Sequence, residues 1–94
     1  MRKGRIENWQ EVQAFGGTRI SGNVYECDAF EEGEEMLTSI LVKYHTIMGS
    51  LVAETKSGSM YHLGKAAEKP ETFAEIMTRH MNHQEPAFSG KGVN

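Results

Sequence analysis

Apolar and polar residues alternate over much of the chain up to Gly64, and beyond it the period changes. Between residues 18 and 28, Ile20, Gly22 and Val24 fall on one face, while Arg19, Ser21, Asn23 and Tyr25 fall on the other. A period of two predicts a strand, and Gly22 inside it predicts a bulge or the close passage of another backbone. The strongest strand signal spans 36–46, with Thr38, Ile40, Leu41, Val42 and Tyr44; apolar groups on both faces predict a central strand. Met48-Gly49-Ser50 makes a turn, Leu51 to Lys56 returns, and Ser57-Gly58 turns into a short last strand, Ser59 to Leu63. Gly58 supplies the positive φ that tight hairpins need. Alternation then places Ile20, Val24, Ile40, Val42, Leu51 and Ala53 in the core. Upstream, Ile6, Trp9, Val12 and Phe15 recur every third residue until Gly16-Gly17, which is read as a short strand or irregular arm anchoring Trp9.

Downstream of Gly64, Phe73, Ile76, Met77, His80 and Met81 follow helical spacing and predict an amphipathic helix. Two start signals compete: Pro70 at the first helical position, and Thr72-Phe73-Ala74-Glu75 as a capping box. The helix is expected over 69–83, followed by a mobile tail, 84–94. The expected fold is α+β, mainly β: a small antiparallel sheet or partly closed barrel of four to six strands within 5–64, carrying one C-terminal amphipathic helix.

At 94 residues the chain is expected to form one domain, 1–94, with a thin core that self-association often completes. A net charge of −3 argues against a duplex-DNA binder, yet leaves room for a small anionic ligand in a local basic pocket. Cys27, alone, makes no intrachain disulfide, and no leader pattern or long apolar run is present, so a cytosolic setting without a membrane span is expected.

Candidate chemistry is sparse. His45, His62, His80 and His83 lack the companion ligands of a zinc site, so structural or surface roles are expected and no metal or cofactor. Ser57 and Ser59 lack a nucleophile-elbow context and Cys27 reads as a packed residue, so no enzyme activity is expected. Glu26, Asp28, Glu31, Glu32, Glu34 and Glu35 surround Gly33 without calcium-loop spacing, which predicts a solvated acidic loop able to meet a basic protein. Lys56-Ser57-Gly58-Ser59 reads either as a hairpin turn with solvent-facing polar groups or as an anion nest, with Tyr61 or Phe30 available to stack on a base. The helix stripe reads equally as core packing or as a dimer seam.

Taken together, Glu7-Asn8-Trp9, Ile20-Ser21-Gly22-Asn23-Val24-Tyr25, Phe30 with the acidic Gly33 turn, Leu37-Thr38-Ser39-Ile40 and Thr55-Lys56-Ser57-Gly58-Ser59-Met60-Tyr61-His62-Leu63-Gly64 form a motif series. The series, over residues 7–64, resembles a family of small phage- and prophage-encoded β-sheet proteins. Its most specific part is Thr-x-Ser-Gly-Ser-x-Tyr-x-Leu-Gly. Two places depart from the family pattern: Glu26-Cys27-Asp28 follows Tyr25 where a Gly-His-type turn is common, and Leu41 stands where a basic residue near the threonine–serine pair is expected. The resemblance implies a non-enzymatic, phage-linked binder. Small phage proteins of this architecture often counter bacterial immunity, some as sponges for nucleotide-derived signals (anti-Thoeris and anti-CBASS types), others as anti-CRISPR inhibitors that cap a protein surface. The leading expectation is a sponge in the cytoplasm of an infected bacterial host, a homo-dimer or larger, its ligand lined by Arg19, Lys43, Lys56, Ser57, Gly58, Ser59 and Tyr61, with Arg79 from a neighbouring subunit. The alternative is an inhibitor presenting Glu31, Glu32, Glu34 and Glu35 to a basic defence complex.

Overall fold

The computed structural model describes residues 3–79. They form six strands, β1 (Lys3–Ala14), β2 (Gly17–Tyr25), β3 (Glu34–Leu37), β4 (Leu41–Ile47), β5 (Ser50–Thr55) and β6 (Met60–Leu63). One sheet contains them all in the order β3-β2-β1-β6-β5-β4. Every neighbouring pair is antiparallel except β1 and β6, which run parallel, so the sheet is mixed rather than purely antiparallel. The chain is α+β and mainly β, and the sheet is not closed into a barrel.

The segment expected as a short strand or irregular arm is a strand, the 12-residue β1, paired on both sides. It turns into β2 through Phe15 (φ 48°) and Gly16 (φ 90°), two consecutive positive φ values that match hairpin twist. A register shift between Glu7 and Gln10 interrupts the alternation of β1, which is why its apolar positions mimic a spacing of three.

The expected single strand 36–46 is two strands on opposite sheet edges, joined only by residues 38–40. So short a link makes the sheet curl until β4 comes near β2, without closing it. Thr38 fastens one end to β2: its N–H donates to Ile20 O at 2.9 Å, and its hydroxyl accepts the Ile20 N–H at 3.0 Å. Ile40 fastens the other end by accepting the Lys56 N–H at 2.7 Å. The two-faced apolar pattern thus reflects a crossing between edges, not a central strand. A second register shift, between Leu41 and Lys43, moves β4 out of the expected phase. Tyr44 and Leu41 pack against the core, while Val42 is 54% exposed rather than buried. Ile20, Val24 and Ala53 are buried as expected, and Ile40 and Leu51 are half-buried.

Ile6, Ile20, Val24, Cys27, Met36, Ala53, Tyr61 and Leu63 form the main core. A smaller cluster joins Val12 and Ala14 to Ile76 of helix α1 (residues 73–79). Between the two helix-start signals, the capping box prevails. The Glu75 N–H donates to Thr72 Oγ1 at 3.1 Å, Thr72 N–H donates to Glu75 Oε1 at 2.8 Å, and Ile76 N–H makes the first helical bond to Thr72 O at 3.0 Å. Phe73 meets Phe15 edge-on at 5.1 Å between ring centroids. The later part of the expected helix with His80, Met81 and His83, and the tail 84–94, lie outside the described residues. Among those described, no helix is long and apolar enough to cross a membrane.

Candidate functional site

The 38–40 link between the sheet edges lies against the β5–β6 turn, and four hydroxyl groups converge there. Ser39 Oγ donates to Ser57 Oγ at 3.2 Å and accepts the Ser57 N–H, also at 3.2 Å. Ser57 Oγ in turn lies 3.2 Å from Thr55 Oγ1 and 3.3 Å from Ser59 Oγ. Thr55 and Ser59 are buried, Ser39 is half-buried, and Ser57 and Lys56 are exposed. Gly58, at φ 92°, closes the turn.

The anion nest expected in this turn is not formed. Its amides already have internal acceptors: Lys56 N–H donates to Ile40 O at 2.7 Å, Ser57 N–H to Ser39, and Gly58 N–H to Thr55 O at 2.8 Å. What the corner presents to solvent is the exposed Ser57 and the half-buried Ser39, next in sequence to the exposed Lys56, with Thr55 and Ser59 buried behind them.

The other expected lining residues are placed elsewhere or already engaged. Tyr61 is 3% exposed in the core and has no face open for stacking; Phe30 is half-buried against the same core. Arg19 donates to Ala14 O and Phe15 O, both at 2.9 Å, and to Thr38 O at 3.1 Å, so it clamps the β1–β2 turn to the edge link. Lys43 is exposed on β4 opposite Glu54. Arg79 is bound by Glu71 and Glu35 of its own chain, which hold its guanidinium pKa above the ordinary value. Ser39 and Thr55, which join the corner, lie outside the expected lining although both belong to the motif series.

In the acidic loop, Glu26, Asp28, Glu31, Glu32 and Glu34 are exposed, and Glu35 is half-buried. Two carboxylates order the loop itself: Glu32 accepts the Glu26 N–H at 2.8 Å and Glu34 the Glu31 N–H at 3.0 Å. Arg5 pairs with Glu26 at 2.8 Å. His45 meets Glu54 at 2.8 Å, and no group of three metal-ligating side chains occurs among the described residues.

A second locus surrounds the β1 irregularity. Asn8 sits there at φ 56°, exposed. Across from it, a Cβ on Gly22 would stand 2.8 Å from Glu7 O and 3.1 Å from Trp9 Cα, so only glycine lets the backbones approach this closely. Past β6 the chain continues beside β1: Gly64 N–H donates to Ile6 O at 2.8 Å, Ala67 N–H to Trp9 O at 2.8 Å, and Trp9 Nε1 to Gly64 O at 3.0 Å. The Glu7 carboxylate accepts the Lys65 N–H at 2.7 Å and Arg5 Nε at 2.7 Å; mainly through the first, its pKa falls below the usual carboxylate range. Beside this irregularity opens a polar cleft of about 600 Å³. Comparison of the chain with protein families, curated proteins and solved structures gave no significant match.

Proposed function

We propose that the protein is a non-enzymatic, phage-encoded anti-defence binder that sequesters a small anionic, nucleotide-derived immune signal in the host cytoplasm. The observation that carries this reading is the corner where Ser39 joins Thr55, Ser57 and Ser59 beside the exposed Lys56. Two pieces of the phage-like motif series, Thr38-Ser39-Ile40 and Thr55 to Gly64, are distant in sequence and meet there. Hydroxyl hydrogens redirect to phosphate oxygens without breaking the backbone bonds of the turn, and Lys56 adds charge. Base stacking falls to groups other than the buried Tyr61. The reading includes assembly as a homo-dimer or larger, which light scattering measures.

Lys56→Glu tests it. Lys56 is exposed, so the fold should be retained, while an attractive charge becomes repulsive at close range. Calorimetry with cyclic nucleotides should show binding lost, and rescue of phage from nucleotide-signalling defences should fail.

A second reading, inhibition of a basic defence complex by direct contact, is favoured by Asp28, Glu31, Glu32 and Glu34 standing exposed on one loop. Paired charge reversal at Glu31 and Glu32 separates the two. Rescue lost in that variant alone would replace sequestration with inhibition.

A further inference from the structure

The cleft beside Asn8 has features that folding alone does not require. Ser21 lines it, is only 3% exposed, and its hydroxyl makes no hydrogen bond among the described residues. Asn8 also lines it, held at φ 56° with an exposed side-chain amide that makes no hydrogen bond among the described residues. A residue held at positive φ beside a strand irregularity aims its side chain away from the ladder. Gln10, which also lines the cleft, is fixed by its amide, which binds both the Glu71 O, at 2.6 Å, and the Glu71 N–H, at 3.0 Å.

The lining specifies a ligand class. Its volume, about 600 Å³, suits a small molecule. Ordinary pockets are mostly apolar, whereas this one is lined by amides, hydroxyls and charged groups without an aromatic ring, which disfavours a nucleobase. The charges largely cancel. Arg79 is taken by Glu35 and Glu71, Lys65 pairs with Glu68 at 3.2 Å, and Glu7 is met by Arg5 from outside the cleft. Of the charged side chains lining the cleft, Lys69 alone has no ion pair among the described residues. A polyanion finds no excess of positive charge, while a ring carrying many hydroxyls finds donors and acceptors on several sides.

We propose that this cleft binds a saccharide, a ring bearing several hydroxyl groups and at most one negative charge, through Asn8 and Ser21. The site is separate from the hydroxyl corner and does not rest on the sequestration reading.

Amide chemical-shift titration of the isotope-labelled protein tests this, with methyl ribofuranoside and trehalose as probes and inorganic phosphate as a charge-only control. Sugar-induced shifts should cluster at residues 7–10, 21–23 and 64–69. Asn8→Gly keeps a residue that tolerates positive φ, and Ser21→Ala deletes an unbonded hydroxyl, so both should fold with the wild-type melting temperature. Each should weaken sugar binding about tenfold, the loss of one hydrogen bond, and Lys56→Glu should leave it unchanged. No shifts from either sugar at millimolar concentration, shifts from phosphate alone, sugar binding indifferent to both cleft variants, or sugar binding lost in Lys56→Glu would each overturn the proposal.

Discussion

Gly22→Ala should destabilise the protein, although the same change inside an ordinary strand is favourable. Alanine restricts the unfolded chain and suits a strand better than glycine by about 0.5–1 kcal/mol. Gly22 has no positive φ that alanine would strain. The cost is therefore steric. The new Cβ would lie 2.5 Å from Ile6 Cγ2, 2.8 Å from Glu7 O and 3.1 Å from Trp9 Cα. Non-bonded carbons rest at about 3.5–4.0 Å, so β1 and β2 must separate by roughly half an ångström or more. The Ile6 side chain, fully buried, has little room to yield, and the other two contacts are backbone. Overpacking of this kind costs about 1–3 kcal/mol, occasionally more, and the backbone contacts point to the upper end. The net loss should be about 2 kcal/mol after the entropic gain. For a domain of this size that lowers Tm by about 8–16 °C. Thermal melting by circular dichroism measures it, with urea unfolding to check that the m-value is unchanged. A Tm at or above wild type would refute the close approach of β1 and β2 on which the cleft is built.

The phase of β4 and β5 is tested by two aspartates. Val42→Asp, at a position 54% exposed, should change stability by no more than about 0.5 kcal/mol, whereas Val52→Asp, at 1% exposed, should cost about 3–5 kcal/mol in urea unfolding; equal losses would refute the register shift at Leu41–Lys43. Tyr44 donates its hydroxyl to the Glu11 carboxylate, and burial, then Glu11, raise its pKa well above the ordinary value. The unfolded phenol ionises near pH 10 while the folded one keeps its proton, so this contribution is full below about pH 10 and is lost as pH rises above it. Urea midpoints should fall more steeply for wild type than for Tyr44→Phe between about pH 9 and pH 11; parallel declines would refute the pairing.

Local signals read directly from the sequence held wherever the deciding interaction is short in range. The turns at Met48-Gly49 and Ser57-Gly58 need positive φ at glycine, and the Thr72–Glu75 box satisfies its own amides. The same local reading mistook the edge crossing at Thr38-Ser39-Ile40 for the interior of one strand, because apolar side chains on two edges of a rolled sheet look like two faces of a central strand. Of the expected ligand lining, Lys56, Ser57, Gly58 and Ser59 lie together because they are adjacent in sequence. Arg19, Tyr61 and Arg79 are drawn away by partners distant in sequence: Thr38, the core, and Glu35.

By itself, the amino-acid order determined the turns at Met48-Gly49 and Ser57-Gly58, a helix after Pro70 and a mainly β class, since alternation and glycine conformation act over a few residues. Only the tertiary structure decided which strands are neighbours, that β1 and β6 run parallel, that Val42 faces solvent, and that Ser39 meets Ser57. Those outcomes depend on a three-residue link between opposite sheet edges and on register shifts in β1 and β4, whose effects are set by pairing across the sheet rather than by any residue's own preference.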